Sequence, residues 1–170
     1  MKSRFAILAI SILFCAAALV VVIGAAPQSP MLKKPIYSGA KPLGPYTPGI
    51  DVGNLVFLAG QIGRDPATGE FVSDITADQT RQAMKNLGSV LEQAGLSYEN
   101  VVKTTIYLAD INDYAAVNEV YGSFFPEGSP APARSTIQVA AIPAGAKVEI
   151  DFIAARFHPA APQLGSDDQQ

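Results

Sequence analysis

The spacing of apolar and polar residues changes several times along the chain, and each change marks an element. Residues 5–23 form an unbroken apolar stretch, preceded by Lys2 and Arg4 and followed by Gly24, Ala25, Ala26 and Pro27. A charged start, an apolar middle and a small-residue end are the order of a secretory signal. The stretch is also near the length that spans a bilayer, and Pro27 would sit awkwardly beside the cut. A cleaved signal over residues 1–26 and an uncleaved N-terminal anchor both fit. Either one predicts an exported domain, periplasmic or otherwise extracytoplasmic. Residues 27–35 are polar and proline-rich and read as a linker, and residues 160–170 read as a loose tail. One domain, residues 36–159, lies between them.

Within that domain the short apolar run 54–60 predicts a buried strand. Asp65-Pro66-Ala67-Thr68-Gly69 predicts a turn. Over residues 76–94 the apolar positions Ala83, Met84, Leu87, Val90, Leu91 and Ala94 form one stripe at helical spacing, and Gly95 stops the helix. Residues 101–109 are rich in Val, Thr, Ile and Tyr, as a strand requires. Asn112 or Asp113 caps a second helix that runs to about residue 124, with Val117, Val120, Tyr121 and Phe124 inward. Strands follow at 135–140 and 147–155. In the last, Val148, Ile150 and Phe152 face one way and Lys147, Glu149 and Asp151 the other. The order predicts an α+β layer, two helices packed on one face of a mixed sheet. The opposite face is expected to carry Glu149 and, on the neighbouring strand, Arg134, Thr136 and Gln138. That face is either solvated or a subunit interface.

Composition then removes much chemistry. The chain has one cysteine, Cys15 in the apolar stretch, and one histidine, His158 in a Pro-Ala-rich tail. The domain therefore offers no disulfide, no thiol nucleophile and no zinc ligand set, and a Ser-His-Asp triad lacks a positioned base. No glycine-rich phosphate loop is present. Lys2 and Arg4 are among the twelve Lys/Arg that face fifteen Asp/Glu, for a net charge of −3. That balance argues against nucleic acid as a partner.

One cation stands out against this background. Arg134 lies in Pro132-Ala133-Arg134-Ser135-Thr136, with Glu149 on the strand that follows. A guanidinium holds a carboxylate through two parallel hydrogen bonds, which suggests a site for a small carboxylic acid. Read alone, Arg134 is more readily a strand-end arginine in a surface ion pair, and Glu149 a surface carboxylate paired with Lys147 or Arg156.

Several pieces come in a specific order: Gly44-Pro45-Tyr46, Leu58-Ala59-Gly60-Gln61-Ile62, Asp65 to Glu70, Gln82 to Leu87, Val102-Lys103-Thr104-Thr105, Tyr114 to Asn118, Phe124-Phe125, Pro132 to Ser135 and Val148-Glu149-Ile150. In that order and spacing the chain resembles the Rid (YjgF) family of reactive-intermediate deaminases across nearly the whole domain. The resemblance implies a chorismate-mutase-like fold and a homotrimer with sites in the clefts between subunits. It implies hydrolysis of enamines and imines, such as 2-aminoacrylate, to the keto acid and ammonia, with no metal or organic cofactor. The partners it implies are a small imino or keto acid and further copies of the chain, with a membrane contact only through an uncleaved leader. At matching positions Arg134 resembles the carboxylate clamp and Glu149 the acid that activates water. Tyr46, Gly60, Asn118 and Thr136 resemble pocket residues. The chain departs from the RidA-type pattern at Ala59, commonly serine, and at Thr136, often cysteine. The alternative function is a non-catalytic trimeric carboxylate-binding or chaperone-like module of the cell envelope. A ribonuclease activity, described for some relatives, sits poorly with the acidic charge.

Overall fold

The computed structural model describes residues 33–38, 42 and 44–157. The expected leader (1–26), the tail (160–170) and His158 lie outside the described residues, as does most of the expected linker. Six strands form one sheet: β1 (Lys34–Ile36), β2 (Gly49–Asp51), β3 (Leu55–Ile62), β4 (Val101–Leu108), β5 (Ala133–Gln138) and β6 (Val148–Ala155). Among the described residues two α-helices, α1 (Thr76–Gln93) and α2 (Tyr114–Gly122), pack on this sheet. The sheet order is β1-β2-β3-β6-β4-β5. Only the β4–β5 pair is parallel, with α2 in the connection. The expected α+β layer with a mixed sheet is the observed one. The expected linker is corrected at its end, because Lys34 and Pro35 pair with Asp51 and Ile50 as part of β1.

The apolar stripe of α1 becomes the core. Ala83, Met84, Leu87, Val90 and Leu91 pack with Val56, Leu58, Ile106, Leu108, Ile150, Phe152 and Val117, all buried. Gly95 ends α1 with φ +69, a left-handed value that suits a residue without Cβ. Gln79 is 1 % exposed, yet both ends of its amide are used: Nε2 donates to the Ser73 carbonyl and Oε1 accepts from Lys147 N–H, each at 2.9 Å. A buried amide so satisfied ties α1 to the entry of β6.

The second helix starts differently from expectation. A short 3-10 turn, Ile111–Asp113, precedes α2, and Asp110 caps it by accepting Asn112 N–H at 2.9 Å. Asp113 makes no side-chain cap. Its carboxylate instead accepts the Thr76 hydroxyl at 2.6 Å, joining the first turns of α1 and α2.

Candidate functional site

Strand register decides where each candidate side chain goes. In the parallel β4–β5 pair, Thr104 lies beside Arg134, Ile106 beside Thr136 and Leu108 beside Gln138. Thr104, Ile106 and Leu108 are fully buried under the helices, and laterally paired residues share a face. Arg134, Thr136 and Gln138 are therefore directed to the helix side of the sheet. Glu149 pairs with Tyr107 on β4, three positions from Thr104, and so occupies the opposite face. The expectation that Arg134 and Thr136 share Glu149's face is corrected, and so is their adjacency, because β4 lies between β5 and β6. The reason is that β5 runs parallel to β4 at the sheet edge, with α2 over one side.

Two half-sites result. The first gathers at α2 and β5. The Arg134 guanidinium lies 5.0 Å from the Tyr121 ring centroid and 5.7 Å from that of Tyr114, and its Nη2 donates to Tyr114 Oη at 3.1 Å. Tyr121 is anchored in turn by a 3.0 Å hydrogen bond shared between its Oη and Thr104 Oγ1. Burial raises the Tyr121 phenol pKa, so this ring stays neutral beside the cation. Tyr114, Asn118 and Tyr121 stand at i, i+4 and i+7 on α2, one helical face. Asn118 is thus on the face that meets Arg134. On β5, Thr136 Oγ1 is buried with no hydrogen-bond partner. The result is a planar cation with aromatic faces and polar neighbours.

The second half-site is on the open face. β3 and β6 shift register between Leu58 and Gln61, a bulge that brings Gly60 against Glu149. A Cβ at Gly60 would overlap the Glu149 carboxyl, so glycine lets that carboxyl lie against β3 where a larger residue would push it away. Glu149 lines a recess of about 310 Å³ with Tyr107, Ile142, Pro143 and Asp151. Tyr107 Oη donates to Asp151 at 3.1 Å. Burial, and then the Asp151 charge, raise the Glu149 pKa above the ordinary carboxylate value. A carboxyl with its pKa raised holds a proton more readily than an ordinary one, which suits proton transfer. Arg156 does not pair with Glu149; it bonds Asp51 at 2.8 Å. Tyr46 and Gly60 line a further pocket of about 300 Å³ with Arg64 and Asn86. The six candidate residues thus divide, with Arg134, Thr136 and Asn118 on the helix side and Glu149 with Gly60 on the open side, Tyr46 lining a pocket with Gly60.

Sequence reasoning missed Tyr114 and Asp151. Their signals were present, Tyr114 as the helical neighbour of Asn118 and Asp151 as the same-face neighbour of Glu149. Among the described residues no cluster of three or more His, Cys, Asp or Glu is placed to hold a metal ion.

The sequence model of the family described as Endoribonuclease L-PSP matches residues 38–156. Reactive Intermediate Deaminase A, chloroplastic, of Arabidopsis thaliana is 52 % identical over 126 residues, covering 72 % of this chain and 66 % of that protein. The human 2-iminobutanoate/2-iminopropanoate deaminase is 43 % identical over 129 residues, covering 75 % of this chain and 93 % of that protein. The crystal structure of E. coli TdcF with bound serine aligns with a TM-score of 0.70 at 41 % identity, covering 74 % of this chain and 100 % of that one. These relatives correct the expected location outside the cytoplasm: the Arabidopsis protein is named for the chloroplast. Among the described residues no helix is long and apolar enough to cross a membrane. From the strand order, the bulge at Gly60, the placement of Arg134 and these relatives together, the chain belongs to the Rid (YjgF) family.

Proposed function

We infer that this chain hydrolyses reactive enamines and imines, such as 2-aminoacrylate and 2-iminopropanoate, to the 2-keto acid and ammonia. The observation that carries this reading is Arg134, a guanidinium fork held against two tyrosines, a geometry suited to a carboxylate. Relatives named as 2-iminobutanoate/2-iminopropanoate deaminases support it.

The chemistry asks little of the protein. An imine carbon is already electrophilic, so fixation, a placed water and a proton route suffice. Arg134 binds the substrate carboxylate. Glu149 takes a proton from the attacking water as the C–O bond forms. It passes that proton to the imine nitrogen to give a carbinolamine, then takes the carbinolamine hydroxyl proton and delivers it to nitrogen as C=O forms and the C–N bond breaks, leaving the keto acid and ammonia. An enamine first gains a proton at its terminal carbon to become the imine. The raised Glu149 pKa suits both directions of transfer.

Arg134 and Glu149 occupy opposite faces of one sheet, so a pocket that uses both takes them from two copies. A homotrimer with sites between subunits meets this requirement, with Gly60 and Tyr46 beside Glu149 and with Asn118 and Thr136 beside Arg134. Exposed Leu55 and Phe57 on β3 and Ile137 on β5 supply apolar surface for association. The test is release of keto acid and ammonia from enzymatically generated 2-aminoacrylate. Arg134→Ala is expected to abolish it with the fold intact, and unchanged turnover would sink the reading. A second reading, carboxylate binding without turnover, draws on the serine held by TdcF. Under that reading wild type binds the keto acid yet releases no ammonia faster than buffer.

A further inference from the structure

Two carboxyls share the recess at the start of β6, and the reaction just described uses one of them. Glu149 and Asp151 stand two positions apart on β6, so both side chains leave the open face of the sheet, and both line the recess of about 310 Å³. They are held differently. Asp151 Oδ2 accepts the Tyr107 hydroxyl at 3.1 Å, which fixes that carboxylate from β4. Among the described residues no donor is bonded to the Glu149 carboxyl, which lies against Gly60. One acid is anchored, and the other keeps its oxygens for water.

The surroundings leave the anchored charge unopposed. Against Glu149, β3 sets Gly60, Gln61 and Ile62, none of which titrates. From β4, Tyr107 lies beside it. Farther along that face of β4, Lys103 is turned to other partners, its Nζ donating to the Thr104 carbonyl at 2.8 Å and to Ser135 Oγ at 3.2 Å. The connection before β6 adds Ile142 and Pro143 to the recess wall. Lys147 is exposed, and neither of the ion pairs among the described residues includes it, Glu149 or Asp151. Two carboxylates in one recess disfavour each other's charge. After burial, the Asp151 charge is the second cause that raises the Glu149 pKa.

We propose that Asp151 is a positioning residue that acts through Glu149: its charge, fixed by Tyr107, keeps the proton on Glu149 between removal from water and delivery to nitrogen. This role rests on the deaminase reading. It assigns the second acid of the recess a task without placing it on the substrate.

The test uses the full chain with carbon-13 in its glutamate carboxyls, the Glu149 signal being the one lost in Glu149→Gln. Asp151→Asn removes the charge and still accepts the Tyr107 hydroxyl. It should lower the Glu149 titration midpoint by about half a pH unit or more, with amide shifts elsewhere reporting an unchanged fold. Asp151→Ser, also uncharged, should do the same, while Asp151→Glu should stay near wild type. The acid limb of kcat/KM for 2-aminoacrylate, corrected for uncatalysed hydrolysis, should move to lower pH by the same amount in Asp151→Asn, and the plateau should fall because a weaker base remains. A loss of activity from packing alone would leave that limb in place. An unmoved Glu149 midpoint, or normal wild-type turnover with an unmoved acid limb in Asp151→Asn, would overturn this role alone. Absent turnover by wild type would overturn the deaminase reading and this role with it.

Discussion

Tyr114 donates nothing to Arg134 except an acceptor, and that is enough to set which edge of the guanidinium faces a ligand. With Nη2 held at 3.1 Å by the phenol oxygen, the remaining donors keep one orientation, and orientation fixed in advance is not paid for again on binding. Tyr114→Phe keeps the ring over the cation and removes only the hydroxyl. We expect KM to rise about three- to tenfold, the worth of a hydrogen bond to a partly solvated charge, with kcat nearly unchanged, as steady-state kinetics will show. Glu149 invites the opposite comparison. Its folded pKa is raised by burial and by Asp151, so the folded state disfavours the charged form. Ionised Glu149 therefore costs stability above its folded pKa, and the cost vanishes below the pKa of the unfolded chain. Glu149→Gln should raise Tm at neutral pH, lose that advantage as pH falls through the carboxylate range, and abolish turnover. Thermal melts across pH check the first two, and a variant less stable than wild type at neutral pH would contradict the assignment. Arg134 and Glu149 stood out in the sequence through the ordered family pieces around them, since read alone each passes for a surface charge. Tyr114 did not, because an aromatic on a helix reads first as core.

At the level of elements, β6 and α1 from Ala83 onward were readable for one reason: each buries one face in an unbroken apolar period there, whereas the first turns of α1 bury Thr76, Gln79 and Thr80. β1 and β2 have three residues each, too few for any period, and exist through pairing with β3. β5 has the sequence Ala-Arg-Ser-Thr-Ile-Gln with no residue fully buried, so nothing in its own pattern says which way Arg134 points. Its parallel register with β4 supplies that information, and register is a property of two segments. The joint between the helices is equally non-local. Thr76 and Asp113 meet at 2.6 Å across 37 residues. Thr76→Val removes the hydroxyl at nearly constant volume and leaves the carboxylate without this donor. A loss of about 1–2 kcal/mol is expected, read as a lower urea midpoint at unchanged m-value. Because α2 carries Tyr114, Asn118 and Tyr121, the same variant should also weaken substrate binding slightly.

For the whole molecule the decisive fact is that a single sheet separates Arg134, the proposed clamp, from Glu149, the proposed acid. Arg134 is directed toward α2, and Glu149 lies in a recess on the other face. If each pocket takes Arg134 from one copy and Glu149 from another, two inactive variants repair each other. Arg134→Ala retains Glu149, and Glu149→Gln retains Arg134. Unfolding the two together in equal amounts and refolding them scrambles the copies. A pocket is intact when its arginine comes from the Glu149→Gln chain and its glutamate from the Arg134→Ala chain. In a closed ring of randomly mixed copies this holds for about one quarter of the pockets, so the mixture should recover about one quarter of wild-type turnover while each variant refolded alone stays inactive. Were one chain to complete its own site, every copy in the mixture would carry a lesion and activity would stay at zero. The assay thus separates a shared site from a self-contained one, and sedimentation of the same samples tests whether the assembly is a trimer.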